Sequence, residues 1–301
     1  MPFVSEDVPY SCPYDRGCIA MAAGAYQCGV CARIFPIIDG IPNFIGHALH
    51  PESSEHQRER DSFISPDEQD YGSPLRNLIE IPFTIEKLAA QPGDLVLDIA
   101  CGKGRIAIPL LQHVPVRLVG IDFSLAALKG FSARAQKLGV PAQLAMADAT
   151  RLPFQPANFD RVILSMVLEN IGSEEIVNRM LKSVAEVMRT TGRLVLTTFN
   201  YSQMVREVLH YPKRGYFPDS RIACRFDTPD ELQDLLSQYF VVEDLAYLVS
   251  TVPKISGAFQ KMGRPGLRLA AAFDRYYRHR PRAQDRARIL AAICRPKRNT
   301  A

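Results

Sequence analysis

The stretch VLDIACGKG, residues 96–104, decides the fold of this 301-residue chain. Its apolar half belongs to a run, Leu95–Ala100, that is typical of a short and buried parallel strand. Asp98 lies near the end of that strand, and Gly102 and Gly104 open the turn into the next helix. Glycines at such a turn let the backbone approach a ligand, because they carry no Cβ. The stretch therefore predicts a strand–loop–helix unit that binds a cofactor.

Predicted strands and helices alternate along most of the chain after this point. Helices at 106–112, 125–137 and 174–188 separate the strands in sequence. This alternation is the signature of a doubly wound α/β sheet, and we predict a Rossmann-like, seven-stranded and mostly parallel sheet. The predicted strands are Leu95–Ala100, Val116–Asp122, Ala142–Ala147, Phe159–Ser165, Arg193–Phe199, Phe240–Val249 and Ala287–Cys294.

Two further helices have clear sequence signals. Leu78, Ile81, Ile85 and Leu88 recur at helical spacing before the first strand of the sheet. Thr228 is a good N-cap, since it precedes a proline and two acidic residues.

Two carboxylates after the glycine-rich loop distinguish between possible cofactors. The pattern Gly102-x-Gly104-x-x-Ala107 also fits a dinucleotide fingerprint. Asp122 ends the second predicted strand, where a carboxylate can accept both ribose hydroxyls, and Asp148 follows the third, where it can take the adenine amino group. Asp98 places a negative charge in the first loop, which disfavours a pyrophosphate and suits a ligand with an ammonium and a sulfonium.

These segments resemble the motifs of class I S-adenosylmethionine-dependent methyltransferases of the small-molecule type. VLDIACGKGRIAIPL (96–110) is similar to their first motif, and LVGIDFS (118–124) to their second. MADATRLPFQPANFDRVILSMVLENI (146–171) is similar to the third and fourth, and TTGRLVLTTFN (190–200) to the fifth-strand motif. The resemblance covers about Gly93 to Asn200 and implies S-adenosyl-L-methionine as cofactor.

The resemblance also implies individual cofactor contacts. It places the first loop against the methionine part, with Ala100 where many members have Gly. It places Asp122 and Phe123 against the ribose and adenine, and a tyrosine of an N-terminal lid over the cofactor. The implied cofactor-binding residues are Tyr71, Asp98, Ala100, Gly102, Gly104, Asp122, Phe123, Asp148, Ala149 and Ser165.

Methyl transfer from a sulfonium is an in-line displacement, which needs alignment more than acid–base help. A hydroxyl nucleophile usually needs a base as well. Related enzymes often carry a Glu-His pair after the fourth strand, but here the pair reads Glu169-Asn170, so that base is absent. His210 and Tyr201, after the fifth strand, are the candidate catalytic residues. The alternative is that both only pack or shape the substrate pocket.

Four of the seven cysteines lie in the first 46 residues. Cys28-Gly29-Val30-Cys31 has the spacing of one side of a tetrahedral zinc site. The other side is either Cys12 with Cys18 or Cys12 with Asp15. YQCGVCARIFPIIDGIPNFI is similar to the zinc ribbons that precede some methyltransferase domains, which implies a structural Zn²⁺. A ribbon with reduced thiols and no metal is the alternative. The predicted metal ligands are Cys12, Cys18, Cys28 and Cys31.

The chain divides into three parts by these patterns. We assign 1–46 to a zinc-ribbon-like module, 47–76 to a linker or lid, and 77–301 to a Rossmann-like methyltransferase domain. Two insertions, at 200–227 and 253–285, would roof the substrate pocket. Their aromatic and apolar residues suit a small apolar or aromatic substrate, such as a natural product, a quinone or a lipid-like molecule. The alternatives are ribosomal RNA base methylation, a cofactor-dependent cyclase or isomerase, and a partner-binding protein that has lost transfer.

Charge is distributed unevenly along the chain. Thirteen Lys or Arg residues and only two Asp lie between Lys254 and Arg298. This basic region could contact a membrane surface or an acidic partner, with nucleic acid less favoured, or it could be a solvated helical face. No apolar run approaches the roughly 20 residues that span a bilayer. The N-terminus lacks a signal-peptide pattern, so we expect a cytoplasmic protein without disulfides.

Overall fold

The computed structural model describes residues 10–46, 49, 54–55, 57–58, 74–217, 221–249, 259, 261–278, 280 and 282–297. At the N-terminus, four short antiparallel strands pair in sequence order. They are β1 (Ile19–Ala22), β2 (Ala25–Cys28), β3 (Ile34–Ile38) and β4 (Ile41–Pro42).

A seven-stranded sheet forms the centre of the molecule and confirms the prediction of a mostly parallel sheet. Its members are β5 (Leu95–Ile99), β6 (Arg117–Asp122), β7 (Gln143–Met146), β8 (Phe159–Ser165), β9 (Met188–Phe199), β12 (Phe240–Leu248) and β13 (Ile289–Pro296). The strand order is β12-β13-β9-β8-β5-β6-β7, and β13 alone runs antiparallel to its neighbours. The carboxyl ends of β5, β6, β7, β8 and β9 therefore meet at one edge, where the predicted motifs end.

Helices cover both faces of this sheet, and a two-stranded hairpin lies in the insertion after β9. The hairpin consists of β10 (Arg214–Tyr216) and β11 (Ala223–Arg225). The helices are α1 (Pro74–Leu88), α2 (Ala107–His113), α3 (Leu125–Leu138), α4 (Glu174–Val187), α5 (Pro229–Leu236), α6 (Gly263–Tyr277) and α7 (Ala283–Arg286). None of the helices in the described part of the chain has the length and apolar character needed to cross a membrane.

Local sequence signals account for several helix boundaries. Ser124 caps α3 by accepting a hydrogen bond from the backbone of Ala127, and Gly139 ends the same helix in the left-handed conformation. The predicted start of α5 is confirmed, because Thr228 forms a reciprocal capping box with Glu231.

The four apolar residues that predict α1 are buried to different extents. Leu88 is buried and Leu78 is 42% exposed, while Ile79 and Phe83, which are not among the four, are each only 2% exposed. The helix α6 packs against α1, and its Ala270 joins Ile79 and Phe83 in one apolar cluster. The helical spacing identified the helix, whereas a second packing partner decided which side is buried.

The N-terminal sheet packs directly on the edge of the central sheet. Asn43 pairs with Met146 of β7 in a parallel bridge, and the backbone N–H of Phe44 donates to the Met146 carbonyl at 2.9 Å. The ring of Tyr10 stacks on Phe154 with centroids 5.8 Å apart, and Arg16 donates to the Phe154 carbonyl at 2.9 Å. These contacts cover β7, which would otherwise be an exposed edge strand.

Replacing Gly104 by Ala tests the packing of the first loop. Gly104 has φ +76°, and a Cβ there would lie 2.7 Å from the ring of Phe131. Gly139 has φ +65° with no atom within 4 Å of such a Cβ, so Gly139→Ala serves as the matched control. We expect Gly139→Ala to lower the free energy of unfolding by about 1 kcal/mol and Gly104→Ala by about 3 kcal/mol in chemical denaturation. Equal losses would contradict a steric requirement at Gly104.

Candidate cofactor-binding site

The loop between β5 and α2 turns sharply through three residues with left-handed backbone. Ala100 has φ +54°, Gly102 has φ +54° and Gly104 has φ +76°. Ala100 is the one member of the three with a Cβ, and the left-handed conformation costs such a residue roughly 1–2 kcal/mol. The turn directs the backbone of the loop toward the end of β6.

Asp122 at the end of β6 joins this loop to the next one. Its Oδ2 accepts a hydrogen bond from the backbone N–H of Gly102 at 2.9 Å, and its Oδ1 accepts one from Ser124 at 2.9 Å. Asp122 is only 6% exposed. The position of its carboxylate is therefore fixed by backbone donors on both sides.

One cavity opens above the carboxyl ends of β5 to β8, and it brings together half of the ten predicted cofactor residues. These are Ala100, Asp122, Phe123, Asp148 and Ala149. The sequence analysis did not identify most of the other residues that line the cavity. These other lining residues are Leu49, Ile121, Ala147, Thr150, Met166, Val167, Asn170, Ile171, Ile176 and Met180.

Two segments account for much of what was missed. The turn after β8 contributes Met166, a non-glycine residue with φ +58°. The segment 47–76 contributes Leu49 to the lining, and Gln57 donates a side-chain hydrogen bond to the Phe123 carbonyl. The sequence predicted where β8 ends, but it did not predict the direction of the side chains in the turn that follows.

Four of the other predicted cofactor residues are not part of this cavity. Within the described part of the chain, Asp98, Gly102, Gly104 and Ser165 are outside the lining. Tyr71 falls outside the described residues.

Ser165 belongs instead to a buried network centred on Glu80 of α1. Glu80 is fully buried, and its carboxylate accepts hydrogen bonds from Arg76 at 2.7 Å and from Arg105 at 2.9 Å. The hydroxyls of Ser165 and Thr197 donate to it at 2.9 and 2.7 Å. Burial alone would raise the pKa of Glu80, but Arg105 and Arg76 outweigh burial and hold it at about 2. The network links α1, the first loop, β8 and β9, and its acidic centre was not identified from the sequence.

Asp98 is a second buried carboxylate, and its charge is poorly compensated. Burial raises its pKa to about 7, Arg105 lowers it, and the nearby Asp122 raises it. Asp98 is thus partly protonated near neutral pH. A cationic group bound beside it would favour the ionised form.

Glu169 carries a proton at neutral pH. Burial raises its pKa to about 8, and the Thr198 hydroxyl donates to its carboxyl group at 3.3 Å. Its neighbour Asn170 lines the cavity. The Glu169-Asn170 pair therefore presents an amide to the cavity and no basic group at neutral pH.

The two candidate catalytic residues lie apart from this cavity. His210 is exposed and has φ +54° where a five-residue π-helix, Val205–Leu209, ends. Tyr201 packs in an aromatic cluster with Tyr211 and Phe226. Neither lines the cavity in the described part of the molecule. The aromatic side chains of the insertion pack on one another here, and the catalytic role of His210 and Tyr201 stays a prediction.

The N-terminal cysteines converge with a carboxylate. One ligand atom from each of Cys12, Asp15, Cys28 and Cys31 lies within 4.8 Å of the others. The Cys12 and Cys31 sulfurs are 3.7 Å apart, and Cys28 Sγ lies 3.4 Å from Asp15 Oδ1. Cys18 is outside this group, whereas Asp15, from the alternative ligand set, is within it.

The turn after Cys12 explains why Asp15, and not Cys18, lies in this cluster. The backbone N–H of Arg16 donates to the Cys12 carbonyl at 2.9 Å, so the chain folds back and brings Asp15 beside Cys12. Cys18 is exposed and instead pairs through its backbone with Ser11. The backbone N–H groups of Val30 and Cys31 donate to Cys28 Sγ at 3.3 and 3.4 Å. Although burial opposes it, these bonds from Cys31 and Val30 lower the pKa of Cys28.

Comparison with protein families identifies the part of the chain around the cavity. Residues 96–192, about a third of the chain, match the family model described as a methyltransferase domain. The part of the chain that matches this model, residues 96–192, is called the methyltransferase domain below.

Known proteins similar to this domain agree with the assignment. The demethylmenaquinone methyltransferase of Renibacterium salmoninarum is 35% identical over 120 residues, which is 39% of this chain and 46% of that protein. The chain thus matches less than half the length of this curated relative.

Solved structures share the fold of the methyltransferase domain at low sequence identity. Geranyl diphosphate C-methyltransferase from Streptomyces coelicolor A3(2) has a TM-score of 0.58 and 12% identity, over 83% of this chain and all of that one. The [4+2]-cyclase SpnF has a TM-score of 0.57 and 16% identity, over 83% of this chain and 98% of that one. Because a methyltransferase and a cyclase both share it, the fold alone does not decide the reaction.

The buried Asp98 predicts a pH-dependent affinity for the product S-adenosylhomocysteine. Because the pKa of Asp98 is about 7, its carboxyl group is protonated below that pH. It must lose this proton before it can pair with the α-ammonium group of the ligand. We therefore expect the affinity of the methyltransferase domain to rise up to about tenfold per pH unit below pH 7 and to level off above it. Calorimetry in two buffers of different ionisation enthalpy measures the protons released. Asp98→Asn should bind more weakly and without this pH dependence, and a pH-independent wild type would contradict the role of Asp98.

Proposed function

We propose that the protein transfers a methyl group from S-adenosyl-L-methionine to a small apolar or aromatic molecule of the quinone type. The observation that carries this proposal is the convergence of five motif residues on a single cavity in the methyltransferase domain. The likeness to a demethylmenaquinone methyltransferase supports the substrate class.

The chemistry of the cavity suits this cofactor. Asp122 lines the cavity at the end of β6, where a carboxylate can accept ribose hydroxyls. Asp148 and Ala149 would meet the adenine edge, with the apolar side chains of Phe123 and Met180 around the ring. When bound, S-adenosyl-L-methionine supplies an activated methyl group on its sulfonium.

The surroundings of the cavity favour an apolar substrate. Met166 lines the cavity and packs with Phe199 in an apolar cluster that extends to α1 and α6. Glu169, beside the cavity, is protonated at neutral pH and is not available as a base. The residues around the cavity therefore align the cofactor and the substrate more than they remove a proton. An activated ring carbon or an amine is the kind of nucleophile that such a site can use.

An assay with a short-chain demethylmenaquinone analogue tests this function. We expect the wild type to add one methyl group to the analogue, detected by mass spectrometry. Asp122→Ala should weaken binding of S-adenosylhomocysteine by about tenfold or more, because charge-assisted hydrogen bonds contribute about 1.5–3 kcal/mol each. The same substitution at the exposed Asp234 of α5 is the control and should leave binding unchanged.

Two results would contradict different parts of the proposal. Wild-type protein that fails to bind S-adenosylhomocysteine would remove the cofactor assignment. Intact cofactor binding with no transfer to quinone precursors, phenols or amines would remove the substrate class, and transfer to RNA would replace it.

We also propose that Cys12, Asp15, Cys28 and Cys31 hold a structural Zn²⁺. Two sulfurs about 2.3 Å from a tetrahedral ion lie roughly 3.8 Å apart, and the Cys12 and Cys31 sulfurs are 3.7 Å apart. A hydrogen bond from Cys31 and another from the Gly17 backbone lower the pKa of Asp15 to about 2, so its carboxylate is ionised and able to bind a cation. Cys12 and Cys28 belong to the same buried cluster as the aromatic residues that join the N-terminal sheet to the central sheet.

Metal content of two variants distinguishes the two ligand sets. Asp15→Ala should lose most of the bound zinc, since it removes one of four ligands, while Cys18→Ser should keep about one equivalent. Asp15→Cys should restore binding by supplying a thiolate. Elemental analysis after gentle purification gives the result. Loss of zinc in Cys18→Ser but not in Asp15→Ala would contradict the proposed site.

A further inference from the structure

The helix α6 has its large apolar side chains on the outside. Leu269 is 56% exposed, Phe273 48%, Tyr276 65% and Met262, just before the helix, 56%. The spacing of four and three residues among the helical side chains Leu269, Phe273 and Tyr276 places these three along one side of α6. An ordinary surface helix of a globular protein has its large apolar residues on the opposite, core-facing side.

The core-facing side of α6 contains small residues, the partly buried Leu267 and one paired acid. Gly266, Ala270 and Asp274 are buried. A Cβ on Gly266 would collide with the carbonyl oxygen of Phe259, just before the helix, and Ala270 packs in one cluster with residues of α1. Asp274 is ion-paired with Arg278. The exposed aromatic residues are therefore not needed to hold α6 in place.

Basic side chains lie beside the apolar ones on the exposed surface. Arg264, Arg268 and Arg275 are exposed and recur at helical spacing, and Lys261 precedes them. Asp274 is the only acidic residue between positions 261 and 278, and it is buried. The outer surface of α6 thus combines positive charge with exposed Leu, Phe, Tyr and Met side chains.

An apolar groove continues this surface toward α1. It has a volume of about 760 Å³, Leu78 and Ile85 contribute to its floor, and Arg264 and Arg268 lie on its α6 side. Glu86 of α1 is the acidic residue among its described lining. A groove with hydrocarbon walls and two guanidinium groups has the chemistry to hold an acyl chain and its phosphate.

The inner side of α6 leads to the cofactor cavity. Ala270 and Leu267 pack in the same apolar cluster as Met166 and Phe199, and Met166 lines the cavity. This apolar cluster therefore extends from the inner side of α6 to the lining of the cavity.

We propose that α6 docks the protein on an anionic lipid bilayer, with its apolar stripe in the headgroup region and its arginines against lipid phosphates. Helices that lie in the membrane interface have this combination of basic and apolar surface. An acidic protein or a nucleic acid would use the arginines but leave the apolar stripe exposed to water. The docking itself stands on α6, and only its use in delivering a lipophilic substrate rests on the proposed function.

Vesicle co-sedimentation of the full chain tests the docking. We expect binding to vesicles of phosphatidylcholine mixed with phosphatidylglycerol, weaker binding to phosphatidylcholine alone, and a decrease with added salt. The triple substitution Arg264→Gln, Arg268→Gln and Arg275→Gln should weaken binding to the anionic vesicles by about 100-fold, at roughly fivefold per arginine. The corresponding Arg→Lys triple keeps the charge and should retain most of the binding.

The apolar stripe needs its own variant and its own control. Leu269→Ser with Phe273→Ser should weaken binding about tenfold or more, because both side chains lose their contact with hydrocarbon. Leu138→Ser, at a residue 47% exposed at the end of α3, removes a similar side chain from another surface and should bind as the wild type. Arg179→Gln on α4 is the control for loss of charge.

Results that overturn the docking are distinct from those that overturn the proposed function. Wild-type protein that stays in the supernatant with anionic vesicles at low salt, or α6 variants that bind like the wild type, would refute it. Binding to an RNA or acidic peptide in place of vesicles would refute it as well. Every variant is checked by calorimetry with S-adenosylhomocysteine, whose binding should remain unchanged. Vesicle binding by a protein that transfers no methyl group would leave the docking intact and refute only the substrate proposal.

Discussion

The buried carboxylate of Glu80 is the interaction on which the centre of the molecule depends. A charge without exposure to water is tolerated only when partners replace its hydration, and removing a partner from such a pair costs about 3–5 kcal/mol. Two guanidinium groups and two hydroxyls satisfy Glu80. They come from α1, the first loop, β8 and β9, so one side chain fixes the relative positions of the elements around the cofactor cavity.

The ion pair between Glu80 and Arg105 also affects the charge of a neighbouring acid. Arg105 is engaged with Glu80, so it compensates Asp98 only in part, and the pKa of Asp98 stays near 7. Burial outweighs the attraction of Arg76 and raises the pKa of Glu169 to about 8, so Glu169 remains neutral. The Asp122 carboxylate in the cavity lining is thus held by backbone donors, whereas the nearby acids Asp98 and Glu169 have charges that respond to what binds.

Two peripheral parts of the molecule pack on different sides of the central sheet. The N-terminal sheet closes the β7 edge through aromatic packing around Tyr10, Phe44 and Phe154. On the other side, α6 covers α1 with small residues and presents its large ones outward. The first arrangement buries apolar surface within the protein, whereas the second leaves it exposed beside a cationic stripe. This difference is the physical basis for assigning a structural role to one part and a docking role to the other.

The sequence alone determined the strands, caps and loop carboxylates, because each depends on neighbours within a few residues. β8 spans Phe159–Ser165 as predicted, and Thr228 caps α5. Tertiary structure decided the pairing of Glu80 with Arg105 and the replacement of Cys18 by Asp15 in the cysteine cluster. It also decided which side of α1 is buried. These features arise where segments distant in the chain pack together, and the pattern within one segment does not contain that information.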